Sequence, residues 1–199
     1  MAKLYFRYGA MNSGKSTALM QVAHNYEERG HQVLVVKPSV DTKGDKMLVS
    51  RIGLQREVDI LLRPDESLKD YNIDYSNISC ILVDEAQFLI GDQVTELWAI
   101  SKIEDVPIIC YGLRSDFQTN FFTGNKRLFE LADELEELVT ICRCGKRAKF
   151  NARKVNDKFV SDGDQVAIDG ENNVTYESLC GKCYLDNVLR RNKVKNWQF

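Results

Sequence analysis

The octet Gly9-Ala10-Met11-Asn12-Ser13-Gly14-Lys15-Ser16 limits what this chain can fold into more than any other feature. It fits the pattern G-x-x-x-x-G-K-[ST]. Glycines at these positions let backbone N–H groups turn inward around a phosphate. A helix that opens at the end of the loop points its positive end at the same anion. Lys15 then reaches the β and γ phosphates, and the Ser16 hydroxyl joins a Mg²⁺ shell. The flanks agree with this geometry. Lys3–Tyr8 is β-prone, and Leu19, Val22, Ala23 and Tyr26 recur at helical spacing within Lys15–Arg29, with Gly30 just past the end. Strand, loop and helix in this order predict a site for a nucleoside triphosphate with Mg²⁺.

Further apolar runs follow at Gln32–Val36, Cys80–Val83 and Val106–Tyr111. Between them, Val94, Leu97, Trp98 and Ile100 form one helical face, and Leu128, Leu131, Ala132 and Leu135 form another, followed by Glu134, Glu136 and Glu137 turned to water. Strands alternating with helices predict an α/β fold, a mostly parallel sheet of the RecA-like phosphate-loop NTPase kind, covered on both faces. Asp41–Gln55 reads as a polar loop with no apolar face. Near Val139 the alternation gives way to cysteine pairs, glycines and short β-prone runs. The chain is therefore expected to divide into a nucleotide-binding domain over residues 1–138 and a small, β-rich, zinc-binding domain over residues 139–199.

Cys80-Ile81-Leu82-Val83-Asp84-Glu85 reads as an internal strand ending in two carboxylates. At the carboxyl edge of such a sheet, Asp84 lies beside the phosphate loop and holds Mg²⁺. Glu85 is placed to take a proton from whatever attacks the γ-phosphate. If the attacker is water, the chain is an ATPase; if it is a bound hydroxyl, it is a kinase.

Cys142-Arg143-Cys144 and Cys180-Gly181-Lys182-Cys183 form two knuckles whose four thiolates suit a closed tetrahedral Zn²⁺ site. Cys80 and Cys110 lie inside apolar strands and read as small buried hydrophobes. The formal net charge of −2 offers no global attraction to nucleic acid or to a membrane surface. Met1–Tyr8 lacks the apolar run of a signal peptide, and no stretch has the length of a transmembrane helix, so a cytoplasmic chain is expected. Arg190, Arg191, Lys193 and Lys195 read as a solvated helix face, not a nucleic-acid site.

Taken together, these features resemble the type II thymidine kinase family, the cytosolic kind, over essentially the whole chain. The marks are Gly9–Ser16, Lys37-Pro38 followed by Asp41-Thr42, Asp84-Glu85-Ala86-Gln87-Phe88, Tyr111-Gly112-Leu113-Arg114-Ser115-Asp116-Phe117, both cysteine pairs, and Tyr176 four residues before Cys180. The resemblance implies transfer of the γ-phosphate of ATP to the 5′-hydroxyl of thymidine, and of deoxyuridine, in nucleoside salvage. It implies that Glu85 is the catalytic base, and that Asp84, Ala86 and Gln87 belong to the nucleotide and metal neighbourhood. Phe117 is implied to pack on the thymine base. A lasso at about Gln165–Tyr176 is implied to cover that base, with Ile168, Asp169 and Tyr176 as substrate contacts. A homotetramer and inhibition by thymidine triphosphate are implied as well. Ile168-Asp169-Gly170 stands where the family commonly has I-G-G, the lasso is longer, and Lys43 replaces an arginine. An ATPase with a nucleic-acid-binding zinc ribbon, or a nucleotide sensor without transfer activity, are the alternatives.

Overall fold

Apolar runs bounded by turn residues build the central sheet. The computed structural model describes residues 1–39, 46–167, 170 and 173–190. They form two compact units. The first comprises Met1–Tyr8, Gly14–Leu113 and Phe122–Leu138; the second takes Gly9–Ser13, Arg114–Phe121 and the chain from Val139.

The first unit contains β1 (Leu4–Gly9, whose last residue counts with the second unit), α1 (Lys15–Glu27), β2 (Gln32–Pro38), β3 (Met47–Val49), β4 (Gln55–Glu57), β5 (Ile60–Leu62), β6 (Ile78–Val83), α2 (Gly91–Ile103), β7 (Ile108–Leu113), α3 (Thr123–Leu131) and β8 (Glu134–Leu138). Six strands make one sheet in the order β5-β2-β6-β7-β1-β8. β2 runs parallel to β5 and β6, and β6 parallel to β7, with Val35 opposite Leu82 and Leu82 opposite Ile109.

The continuous apolar run of β6 is what a strand covered on both faces requires. Ile81 and Val83 point to one side and pack with Val94, Leu97 and Ile100 of α2 and Leu128 of α3. Cys80 and Leu82 point to the other and pack with Leu19, Met20 and Ala23 of α1. Both Cys80 and Cys110 are fully buried, and burial pushes the Cys80 thiol up to about 12. No helix among the described residues is long and apolar enough to cross a membrane.

Two local expectations change. The helix expected to continue through Leu135 stops at Leu131, and Glu134–Leu138 is instead the edge strand β8. Glu134 and Glu136 pair with Lys3 (2.7 Å) and Arg7 (2.6 Å). Charged side chains of this kind protect a sheet edge from further pairing. Of the expected polar loop at Asp41–Gln55, residues 41–45 lie outside the described residues. The remainder carries β3, antiparallel to β4, and buries Leu48 in the cluster beneath α1. One inward residue in a three-residue strand is too short a pattern for periodicity to reveal.

The second unit contains β9 (Thr140–Ile141), β10 (Arg147–Ala148), β11 (Phe150–Val155), β12 (Lys158–Val160), β13 (Val174–Leu179) and α4 (Gly181–Tyr184). β9 and β10 form a hairpin, and β11 pairs antiparallel with both β12 and β13. Its small core gathers Ala148, Ala152, Leu179, Tyr184 and Val188 around Cys142 and Cys180.

Candidate active site

In the first unit, Gly14 adopts a left-handed conformation (φ 76°) that turns the chain into α1. Lys15 opens that helix and is buried. Burial pushes its ammonium below the ordinary value, while the Glu85 and Asp84 carboxylates pull it back. One residue on, the Ser16 hydroxyl donates to Asp84 Oδ2 at 3.1 Å. Burial, and then the charge of Glu85, push the Asp84 carboxyl up to about 7, against the Ser16 hydroxyl, the Glu85 amide and Lys15. Ser16 and Asp84 thus offer two hard oxygen ligands side by side, the donor type Mg²⁺ takes.

Glu85 follows the end of β6 with φ 49° and ψ 37°, a left-handed conformation unusual for a residue with a side chain. Such a backbone persists only where its surroundings hold it. Ala86–Phe88 form a single 3-10 turn directly after it, with the Phe88 N–H bonded to the Glu85 carbonyl at 3.0 Å. The Gln87 side-chain amide donates to the Glu85 carboxylate, and its carbonyl accepts the Leu113 N–H at 3.0 Å.

Two glycines make room for this turn: Gly112, which the sequence motif includes without a stated role, and Gly124, which no motif announced. A Cβ on Gly124 would lie 2.6 Å from the Leu89 carbonyl oxygen and 2.7 Å from that of Ala86. A Cβ on Gly112 would lie 3.0 Å from Gln87 Oε1. Asn125, also passed over, donates to the Leu113 carbonyl at 2.7 Å. Lys15, Ser16, Asp84, Glu85, Ala86 and Gln87 are therefore assembled by the first unit alone.

The second unit holds the first half of the phosphate loop, Gly9–Ser13. Within it, the Met11 N–H donates to Asn151 Oδ1 at 2.7 Å, and the Ser13 hydroxyl is buried with no hydrogen-bond partner among the described residues. Phe117 and Tyr176 also belong to this unit and meet at a side chain no motif announced, Arg153. Arg153 is 4% exposed, and its guanidinium lies 3.7 Å from the centre of the Phe117 ring and donates to the Tyr176 hydroxyl at 2.9 Å. It also donates to the carbonyls of Asp164 (2.6 Å) and Gln165 (3.1 Å), while the Tyr176 hydroxyl donates to the carbonyl of Ala167 (3.0 Å). Arg153 and Tyr176 thereby fasten the start of the expected lasso.

Asp116 accepts from the N–H groups of Gln118 (2.9 Å) and Asn120 (2.8 Å) and from the Gln165 side chain (2.9 Å). The Tyr184 hydroxyl donates to the Phe117 carbonyl at 2.5 Å. Ile168 and Asp169, expected as substrate contacts, lie outside the described residues.

The sulfurs of Cys142, Cys144, Cys180 and Cys183 all lie within 4.8 Å of one another. Tetrahedral Zn²⁺ with Zn–S bonds of about 2.3 Å needs sulfurs roughly 3.8 Å apart. The donor set therefore fits structural zinc. Hydrogen bonding from the Cys183 backbone N–H, then from neighbouring thiols, draws Cys180 down to about 7, while hydrogen bonds among the thiols push Cys183 up to about 12. Ionising all four sulfurs this close together would take a cation between them.

The thymidine kinase family model matches residues 2–184. Thymidine kinase from Chromobacterium violaceum is 42% identical over 186 residues, covering 92% of this chain and 98% of that one. Thymidine kinase from Shewanella oneidensis is 44% identical, covering 92% and 96%. Thymidine kinase of Enterobacteria phage T4 is 44% identical, covering 92% and 95%. With that identity sustained over nearly the full length of both chains, the chain belongs to the thymidine kinase family.

Proposed function

We propose that this chain transfers the γ-phosphate of ATP to the 5′-hydroxyl of thymidine, and of deoxyuridine, as a step of nucleoside salvage. The observation that carries the reading is Glu85: a carboxylate beside Lys15 and Asp84, held by Gln87 on a left-handed backbone. A nucleoside hydroxyl is a poor nucleophile until its proton has a base to go to, and a positioned carboxylate supplies one. Glu85 accepts the proton of the 5′-hydroxyl as the bond from that oxygen to the γ-phosphorus forms. The bond from the γ-phosphorus to the β–γ bridging oxygen breaks, and ADP leaves with the charge.

The remaining groups steady that charge. The amides of Gly9–Ser16 other than that of Met11, which Asn151 takes, and the Lys15 ammonium bind the β and γ phosphates. Ser16 and Asp84 would hold Mg²⁺, which would supply neutralisation of the phosphate charge. Phe117, Tyr176, Ile168 and Asp169 are assigned to the nucleoside, with Phe117 and Tyr176 anchored through Arg153. Closure of the lasso excludes water and limits hydrolysis. Cys142, Cys144, Cys180 and Cys183 would hold a structural Zn²⁺ that would tie the turn after β9 to the junction of β13 and α4. The family resemblance adds a homotetramer, feedback by thymidine triphosphate and a cytoplasmic location.

The test is an assay of ADP release across the common deoxynucleosides with Mg·ATP. Thymidine is expected to give the highest rate, with thymidine monophosphate as product. Equal ADP release without any nucleoside would overturn the kinase reading in favour of an ATPase.

A further inference from the structure

Asn151 and Ser178 stand opposite each other across the antiparallel pair β11–β13. Directly opposed side chains on one face of such a pair are close neighbours. Here both reach the same residue, Met11 of the phosphate loop. Asn151 accepts the Met11 N–H at 2.7 Å, and the Ser178 hydroxyl donates to the Met11 carbonyl. One pair of side chains thus takes both polar groups of a single peptide residue. A third contact continues along the loop, where the Thr140 hydroxyl donates to the Asn12 carbonyl at 3.1 Å.

Asn12 is a non-glycine residue of the loop held left-handed, with φ at 64°. A left-handed residue other than glycine costs of order 1 kcal/mol or more and needs surroundings that hold it. Asn tolerates that region better than most residues, yet its carbonyl still has to be tied down. The anchors are themselves fixed. Asn151 and Ser178 are 2% and 5% exposed, and the Asn151 amide nitrogen donates to the Ser115 carbonyl at 2.7 Å. Thr140 and Ser178 each stand two residues before a zinc-cluster cysteine, Cys142 and Cys180.

We infer that Asn151, Ser178 and Thr140 are positioning residues that clamp the backbone of Met11 and Asn12, so that the cysteine-anchored unit sets the phosphate-binding geometry of the loop and with it the affinity for ATP. The inference rests on the reading of Gly9–Ser16 as the ATP site. None of the three residues is assigned to the phosphates; each fixes the Met11 and Asn12 backbone that orients the loop's remaining amides. The hydroxyls matter as donors, so their removal without change of shape is the informative substitution. A lost hydrogen bond of this kind is expected to weaken ATP binding by roughly five- to tenfold.

The experiment compares the full chain with Ser178→Ala, Ser178→Thr, Thr140→Val and Thr140→Ser. Calorimetry measures binding of the β,γ-imido analogue of ATP with Mg²⁺, and steady-state kinetics give KM for ATP and for thymidine separately. Zinc content and melting midpoint check the fold. Ser178→Ala and Thr140→Val are expected to raise Kd and KM for ATP while KM for thymidine stays within about twofold and zinc stays bound. Ser178→Thr and Thr140→Ser, which keep the hydroxyl, are expected to restore ATP affinity. Unchanged ATP affinity in both folded hydroxyl-less variants overturns the clamp. So does a parallel rise of both KM values with loss of zinc, which marks a general structural role. Failure of the unaltered chain to bind the analogue refutes the ATP site itself, a separate outcome.

Discussion

Gln87 bonds the Glu85 carboxylate with its amide and the Leu113 backbone N–H with its carbonyl, linking the end of β6 to the end of β7 through one buried side chain. The relationship fixes where the carboxylate points. Glu85→Gln keeps the shape and removes the basicity. It is expected to retain Mg·ATP binding and to lower kcat by about 10²- to 10⁴-fold, the usual range for a lost general base. Phosphorylation of radiolabelled thymidine reads the rate, and persistence of near-normal transfer removes Glu85 as the base. Gln87→Met leaves the carboxylate in place but loose, so kcat should fall by about tenfold with KM for ATP little changed.

Arg153 is a buried cation whose partners are a ring face, a phenol and two carbonyls. Arg153→Lys keeps the charge but loses the planar fork that serves them together. KM for thymidine should rise by more than about tenfold while KM for ATP moves little. Equal changes in both constants would show that Arg153 acts on the fold at large.

Gly124 sits where the start of α3 meets the turn that follows Glu85. Gly124→Ala puts a methyl group 2.6 Å from the Leu89 carbonyl oxygen. Overpacking of this kind costs about 1–3 kcal/mol. A calorimetric melting midpoint should fall by roughly 2–12 °C, at about 2–4 °C per kcal/mol for a chain of this size. Activity at low temperature should fall too, because the displaced carbonyls belong to the turn that carries Gln87. A midpoint within 1 °C of the parent, on the order of the error of such a scan, would show that α3 can shift freely.

Glu177 on β13 lies between Arg143 and Lys154, the latter at 2.7 Å. The Arg143 hydrogen bond, then that of Lys154, holds its carboxyl below the usual 4.5 against the opposing effect of burial. A depressed folded value means the unfolded chain takes up the proton first. The contribution to stability is therefore complete above about pH 4.5 and is lost as pH falls through the folded value. Glu177→Gln should lower the melting midpoint at pH 7 and narrow its gap to the parent as pH drops towards 3. A constant gap across that window would contradict the ion-pair account.

The cysteines sort into two classes. The four clustered thiols should resist a thiol reagent while zinc is bound and react once a chelator removes it. Cys80 and Cys110, fully buried under α1 and α2, should react only on global unfolding. Stoichiometry with a chromogenic disulfide reagent reads both steps. Six thiols released together by chelation would merge the two classes.

What a reader of the chain could see depended on distance along it. Gly9–Ser16, Asp84–Glu85 and the cysteine pairs each carry their chemistry within a few residues, because a phosphate loop, a strand end and a knuckle are local geometries. The strands of the parallel sheet were legible for the same reason: a short apolar run such as Cys80–Val83, cut off by Asp84-Glu85, suits a strand covered on both faces. The end of α3 was not. Leu131, Ala132 and Leu135 satisfy helical spacing, and Glu134–Leu138 became a strand because it lies beside β1, with Lys3 and Arg7 waiting for its carboxylates.

The sequence by itself pointed to the kind of chemistry: a phosphate-loop motif, a carboxylate pair closing a buried strand and four cysteines in two knuckles, each readable from neighbouring residues. Tertiary structure decided how those parts are held. Arg153 reaches Phe117, Gln87 reaches Leu113, and Ser178 reaches Met11 across 167 positions of chain. Periodicity and motif spacing report only neighbours. Hydrogen bonds, ring contacts and the absence of a Cβ at Gly124 depend on which distant segments folding brings together, and that is fixed by packing of the whole core, not by any local pattern.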